Sequence, residues 1–251
     1  EYLPGLIFQD YVPPIFGIRN SISYRGANMD MLADWAVPVS MSPIAEAEGW
    51  ANAPEGAKEF VIYYMYGKIT RQALILKNEA GVYDKVAVYM SKEDAEPLFV
   101  LEKDVYTPNC PDTMPTKKGM VKAVRNMRLL DIDEDGNYVR LWAGCAVDCE
   151  NSDCWYPRWI FDKVNRRFGP PPATSMAACQ DESIIIKCGH EQWKQSAEWQ
   201  AKAMQYMMDE EGVEVIFSHF HGPDLAGHAY LKYMKERENS IVSEDTARAW
   251  H

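Results

Sequence analysis

The spacing of apolar and polar residues changes character along this chain, and each change marks a different kind of element. From Glu59 the runs FVIYYMYGKI, QALILKN, KVAVYMS and EPLFVLEKDVYT are rich in β-branched and aromatic residues and are separated by Gly, Asn, Asp and charged positions. Such short runs bounded by turn formers predict strands. GMVKAVRNMRLLDIDEDGNYVRLWAGCAV continues the pattern with two strands around Asp133–Asn137, whose Glu-Asp-Gly chemistry suits a hairpin turn. Residues 59–150 therefore predict a mainly antiparallel β module.

Beyond residue 150 the period lengthens. A short helix is predicted around Trp159–Phe168, stopped by Gly169 and three prolines. A long helix follows over residues 190–211, with Trp193, Ala197, Ala201, Met204 and Met208 as its apolar stripe and Gly212 as its end. A stripe of Met and aromatic residues at that spacing predicts core packing rather than a binding groove. Val213, Val215, Ile216 and Phe217 then read as a buried strand, followed by a polar exit at Ser218–His221 and a turn at Gly222-Pro223. A second helix is predicted from Pro223, because proline at the first helical position loses no hydrogen bond the helix would have made. Helix, strand and helix in that order make residues 151–251 a segment of an α/β core.

Residues 1–58 are rich in proline and alanine and predict connecting and packing structure of the same core. Within them Met29, Leu32, Trp35 and Ala36 fit a short amphipathic helix that ends before Pro38. The fold class expected is thus α/β, with a mainly antiparallel β insert.

Bulk composition narrows the partners. The chain has 251 residues, 47% hydrophobic and 25% charged, enough for one large domain or two small ones. Lys and Arg total 26 against 37 Asp and Glu, a formal charge of −11, which argues against binding a nucleic-acid backbone. No apolar run approaches the ~20 residues needed to span a bilayer. No targeting signal is visible, and both ends, at Glu1 and at Trp250-His251, read as cut. The sequence is therefore expected to be a piece of a longer polypeptide.

Three sets of residues carry candidate chemistry away from the helices' apolar faces. Asp131, Asp133, Asp135 and Gly136 spell the DxDxDG opening of a calcium loop, but Trp142 stands where a bidentate Glu belongs and the flanks read as strands, so a hairpin turn is expected. Six cysteines, Cys110, Cys145, Cys149, Cys154, Cys179 and Cys188, are too sparse for a disulfide scaffold. The C-x3-C-x4-C spacing of three of them matches no standard zinc arrangement, so ordinary thiols or one or two disulfides are expected. Arg166 and Arg167 could meet an anion, but in a helix's last turn they are expected to serve the macrodipole and solvent.

Chemistry is concentrated in VEVIFSHFHGPDLAGHAYLKY, residues 213–233. Asp224 and His228 are four apart, so on a helix they share a face and can converge on one ion. A carboxylate and an imidazole suit Zn²⁺, which takes oxygen and nitrogen ligands. A catalytic zinc usually has three protein ligands and an open position, so these two make only part of a site. His219 and His221 are near in sequence, but on a strand they point to opposite faces and at most one joins easily. The alternative is a polar strand-to-helix turn in which Asp224 caps backbone N–H groups and His228 is a surface residue.

Three features in chain order, MRLLDIDEDGNYVRLWAG, the Trp-containing helix at residues 190–211, and IFSHFHGPDLAGH, resemble the type I phosphodiesterase/nucleotide pyrophosphatase-like members of the alkaline phosphatase superfamily. The resemblance covers residues 59–236. It implies an alkaline-phosphatase-like α/β core and a hydrolase of phosphoric esters in which two metal ions, usually zinc, clamp a phosphoryl group attacked by Thr or Ser. Asp224 and His228 would be ligands of one metal, with His219 and His221 as substrate-binding neighbours and a phosphate-ester small molecule as substrate. The family pattern also has an upstream Asp and nucleophile and a downstream Asp-His pair with a further His, none of which this sequence shows. The resemblance therefore implies a central fragment, inactive unless core segments of a parent chain complement it. A second function class stands beside it, a non-catalytic substrate-recognition or protein-interaction module, suggested by Tyr64, Tyr66, Trp142, Trp155 and Tyr156 as exposed aromatics.

Overall fold

The computed structural model describes residues 22–25, 28–29, 39–64, 67, 69–116, 119–144, 146–152, 155, 158–172, 184–218, 220, 223 and 227. Twelve strands lie in them: β1 (Ile22–Arg25), β2 (Asn28–Met29), β3 (Val39–Met41), β4 (Ala45–Glu46), β5 (Lys58–Tyr64), β6 (Ile69–Lys77), β7 (Tyr83–Tyr89), β8 (Phe99–Glu102), β9 (Tyr106–Thr116), β10 (Gly119–Ile132), β11 (Val139–Ala143) and β12 (Val147–Asp148). They form two sheets, ordered β12-β10-β11-β1-β2 with β9 also on β10, and β3-β5-β6-β7-β8 with β4 also on β5. Every ladder between these strands is antiparallel. With the helices below, the chain is a mixed α and β protein.

Alternation within the strands builds the core. Phe60, Ile62 and Tyr64 of β5, Ala73 and Ile75 of β6, and Val86 and Val88 of β7 meet Met127 and Leu129 of β10 and Leu141 and Ala143 of β11 in one buried cluster. The cluster draws on both sheets, as the inward faces of packed sheets do. On the other face of the second sheet, Leu74, Ala87 and Tyr89 are covered by Trp50, Ala53 and Ala57. β9 holds Pro108, Pro111 and Pro115, and its described ladder partner is β10 alone. Proline cannot donate to a ladder, so a strand with a neighbour on one side accommodates it.

The acidic residues at the β10–β11 turn are engaged by the protein's own groups. Asp133 Oδ1 accepts from the backbone N–H groups of Asn137 and Tyr138 at 2.7 and 3.0 Å. Asp131 pairs with Lys103 at 3.2 Å. The DxDxDG stretch is thus a hairpin turn. Gly136 has φ +65°, and a Cβ there would come within 2.9 Å of the Tyr83 ring.

The amino-terminal segment departs from expectation. Rather than only connecting, it contributes β1 and β2 to one sheet and β3 and β4 to the other. Met29 sits in β2, while Leu32, Trp35 and Ala36 lie outside the described residues.

Helix α1 (Arg158–Phe168) ends at Gly169, and a π-helical turn at Ile185–Gly189 runs into α2 (His190–Asp209). The buried face of α2 consists of Gln192, Trp193, Ser196, Trp199, Gln200, Ala203 and Met207, while Met208 is 52% exposed. This is the predicted stripe turned by about one residue. The difference arises because Gln192, Ser196 and Gln200 are polar yet buried, which an apolar count cannot register. Trp199, Ala203 and Met207 pack with Trp155, Ile160 and Val164 into a separate helical core.

After Gly212 (φ +69°) comes the clearest departure. Val213–Phe217, expected to be a buried strand, has no ladder partner among the described residues. The Val213 N–H instead turns back to Met207 O at 3.1 Å, closing the end of α2. Val213 and Ile216 pack against the helical core, and Val215 and Phe217 are left 67% and 92% exposed. An apolar run becomes a strand only where a neighbouring strand takes its backbone groups.

Candidate metal centre

Helix α2 leads directly to the residues that the sequence singles out. Gln200 Nε2 donates to Ser218 Oγ, tying the segment after the helix back to its buried face. Pro223 and Gly227 are helical, where a helix beginning at the proline is expected. Asp224, His228, His219 and His221 themselves lie outside the described residues. The donors they offer, the Asp224 carboxylate and the His228 imidazole with at most one of His219 and His221, are of the kind zinc accepts. Of the five histidines His190 alone is described, exposed at the start of α2. Among the described residues no group of three or more His, Cys, Asp or Glu side chains is arranged to hold a metal.

The cysteines read as thiols where they are described. Cys110 and Cys149 are free, Cys188 is buried, and Cys145, Cys154 and Cys179 lie outside the described residues. Burial pushes the Cys110 thiol up to about 12 and the Cys149 thiol up to about 11. Both are therefore protonated near neutral pH, whereas the thiolate is the metal ligand and nucleophile.

Charged residues in the β unit form structural clusters. Asp112 on β9 accepts from Arg71 of β6 and, through its other carboxylate oxygen, from Arg125 Nε of β10 at 2.8 Å. The Arg125 guanidinium carbon lies 4.0 Å from the centroid of the buried Tyr64 ring. Two arginines, one aspartate and a tyrosine thus join the two sheets inside the core. On the opposite face Glu59 holds Trp50 and Lys92, and the Lys92 ammonium also lies 5.7 Å from the Trp50 ring.

A third set docks the helices on the sheet. The Gln195 side-chain oxygen accepts from Asn126 Nδ2 at 2.8 Å and from the Tyr106 hydroxyl at 3.1 Å, while Gln195 Nε2 donates to Asn109 at 3.2 Å. Beside it Lys187 and Arg128 both reach Asp104, at 2.8 and 3.0 Å. Asp104 loses some hydration on partial burial, but these two cations hold its carboxyl below the usual range. Arg167 pairs with Glu210 at 2.7 Å and lies over the Tyr206 ring at 4.9 Å, so it fastens α1 to the end of α2. None of these roles is written in a local motif; each needs a partner distant in sequence.

Of the aromatics expected to be exposed, the three that are described are buried. Tyr64 and Trp142 are fully buried and Trp155 is 5% exposed, because each fills a core between elements that the local pattern does not bring together. Tyr66 and Tyr156 lie outside the described residues.

No family model, curated protein or solved structure matches this chain. Its chemistry is therefore read from its own residues. Among the described residues no helix is long and apolar enough to cross a membrane.

Proposed function

We propose that this chain is part of a metal-dependent hydrolase of phosphoric esters, phosphodiesterase or nucleotide-pyrophosphatase-like, with Asp224 and His228 as ligands of a zinc ion. The observation that carries the reading is the D-x-x-x-H spacing of these residues beside helical backbone at Pro223 and Gly227. On a helix, residues four apart lie one above the other, within reach of a single ion. The finer fold that goes with it is an alkaline-phosphatase-like α/β core carrying residues 59–150 as a mainly antiparallel β insert.

In such a site zinc ions would polarise a phosphoryl oxygen and stabilise the attacking and leaving oxygens of an in-line displacement. Asp224 supplies a negative oxygen donor, and His228 binds through a neutral ring nitrogen. His219 and His221 are assigned to the surroundings of the phosphoryl group. The nucleophile and the remaining ligands are assigned to no residue of this chain, and core segments of a parent protein would supply them. The chain alone is then expected to bind metal without turning over a phosphodiester.

A second reading, a non-catalytic recognition module, draws on the exposed apolar side chains of Val215, Phe217 and Phe220. Calorimetric titration with zinc, then with inorganic phosphate, tests the first reading on wild type, Asp224→Ala and His228→Ala. Zinc ligation requires both variants to lose zinc binding and the phosphate binding that depends on it. Variants that titrate like wild type would overturn the hydrolase reading and leave the recognition module.

A further inference from the structure

No further inference is drawn: the strongest candidate, the exposed apolar run of Val215, Phe217 and Phe220 on the segment that follows the long helix, carries nothing because nothing in the structure shows what covers it.

Discussion

Arg125 and Asp112 meet inside the core, Nε to Oδ2 at 2.8 Å, with side chains 0% and 1% exposed. They stand on neighbouring strands, β10 and β9, while the second arginine on Asp112, Arg71, comes from the other sheet. A buried carboxylate shared by two guanidinium groups compensates charges that would otherwise be costly to desolvate. Removing the shared partner leaves both arginines without that compensation. Asp112→Ala is expected to destabilise the protein by roughly 3–5 kcal/mol, the range for breaking a buried ion pair from one side. Urea unfolding of variant and wild type measures it, and a loss below about 1 kcal/mol, the surface-pair range, would show that water reaches the cluster.

Gly136 sits in the β10–β11 turn with φ +65° and its Cα face against Tyr83. Alanine there meets both the left-handed backbone and the ring, and a cost of roughly 1–3 kcal/mol is expected. Gly136→Ala combined with Tyr83→Ala separates the two effects by thermal unfolding. If the double variant is no better than the sum of the singles, ring contact contributes nothing.

Asp104 links pH to the docking of α2. Its partial desolvation raises the carboxyl pKa, and the hydrogen bonds from Lys187 and Arg128 more than reverse this, so the folded value is lowered. A lowered folded pKa gives stability that is present above the unfolded value, about 3.9, and is lost as pH falls through the folded value. Asp104→Asn should therefore cost stability at pH 6 and flatten the fall in melting temperature between about pH 4 and the folded value. Equal acid slopes in variant and wild type would contradict the assignment.

Cys110 is buried and Cys149 half-buried, and thiols held protonated in this way should be slow to react. Alkylation of the native protein at pH 8, followed by peptide mapping, is expected to leave Cys110 and Cys149 largely unmodified, and urea should expose both. Rapid native labelling of Cys110 would show that its strand opens.

Local pattern carried β5 to β8, β10 and β11, because alternation and turn formers are properties of neighbouring residues, but it missed most of β9, whose Pro108, Pro111 and Pro115 read against a strand. It also carried the hairpin at Asp133, where the side chain bonds backbone groups only four and five residues on. It failed where an outcome depends on distant partners. The pairing of Ile22 with Ala143 and of Val39 with Tyr64 has no local signature. Gln192, Ser196 and Gln200 are buried on α2, although their polarity reads as solvent-facing. Val213–Phe217 looks like a strand by composition, yet only Val213 and Ile216 pack on the helices and no described strand pairs with it. For the proposed centre, only the D-x-x-x-H spacing points to Asp224 and His228, which lie outside the described residues, and the rest of a metal site would come from elsewhere in the fold.

Zinc content after dialysis against excess metal, wild type beside His228→Ala, tests the assignment of the centre most directly. Ligation by Asp224 and His228 predicts about one zinc per wild-type chain, as for one site of this ligand type, and its loss in the variant while the circular dichroism of the sheets is unchanged. Equal zinc content in the two proteins, or none in either, would contradict it.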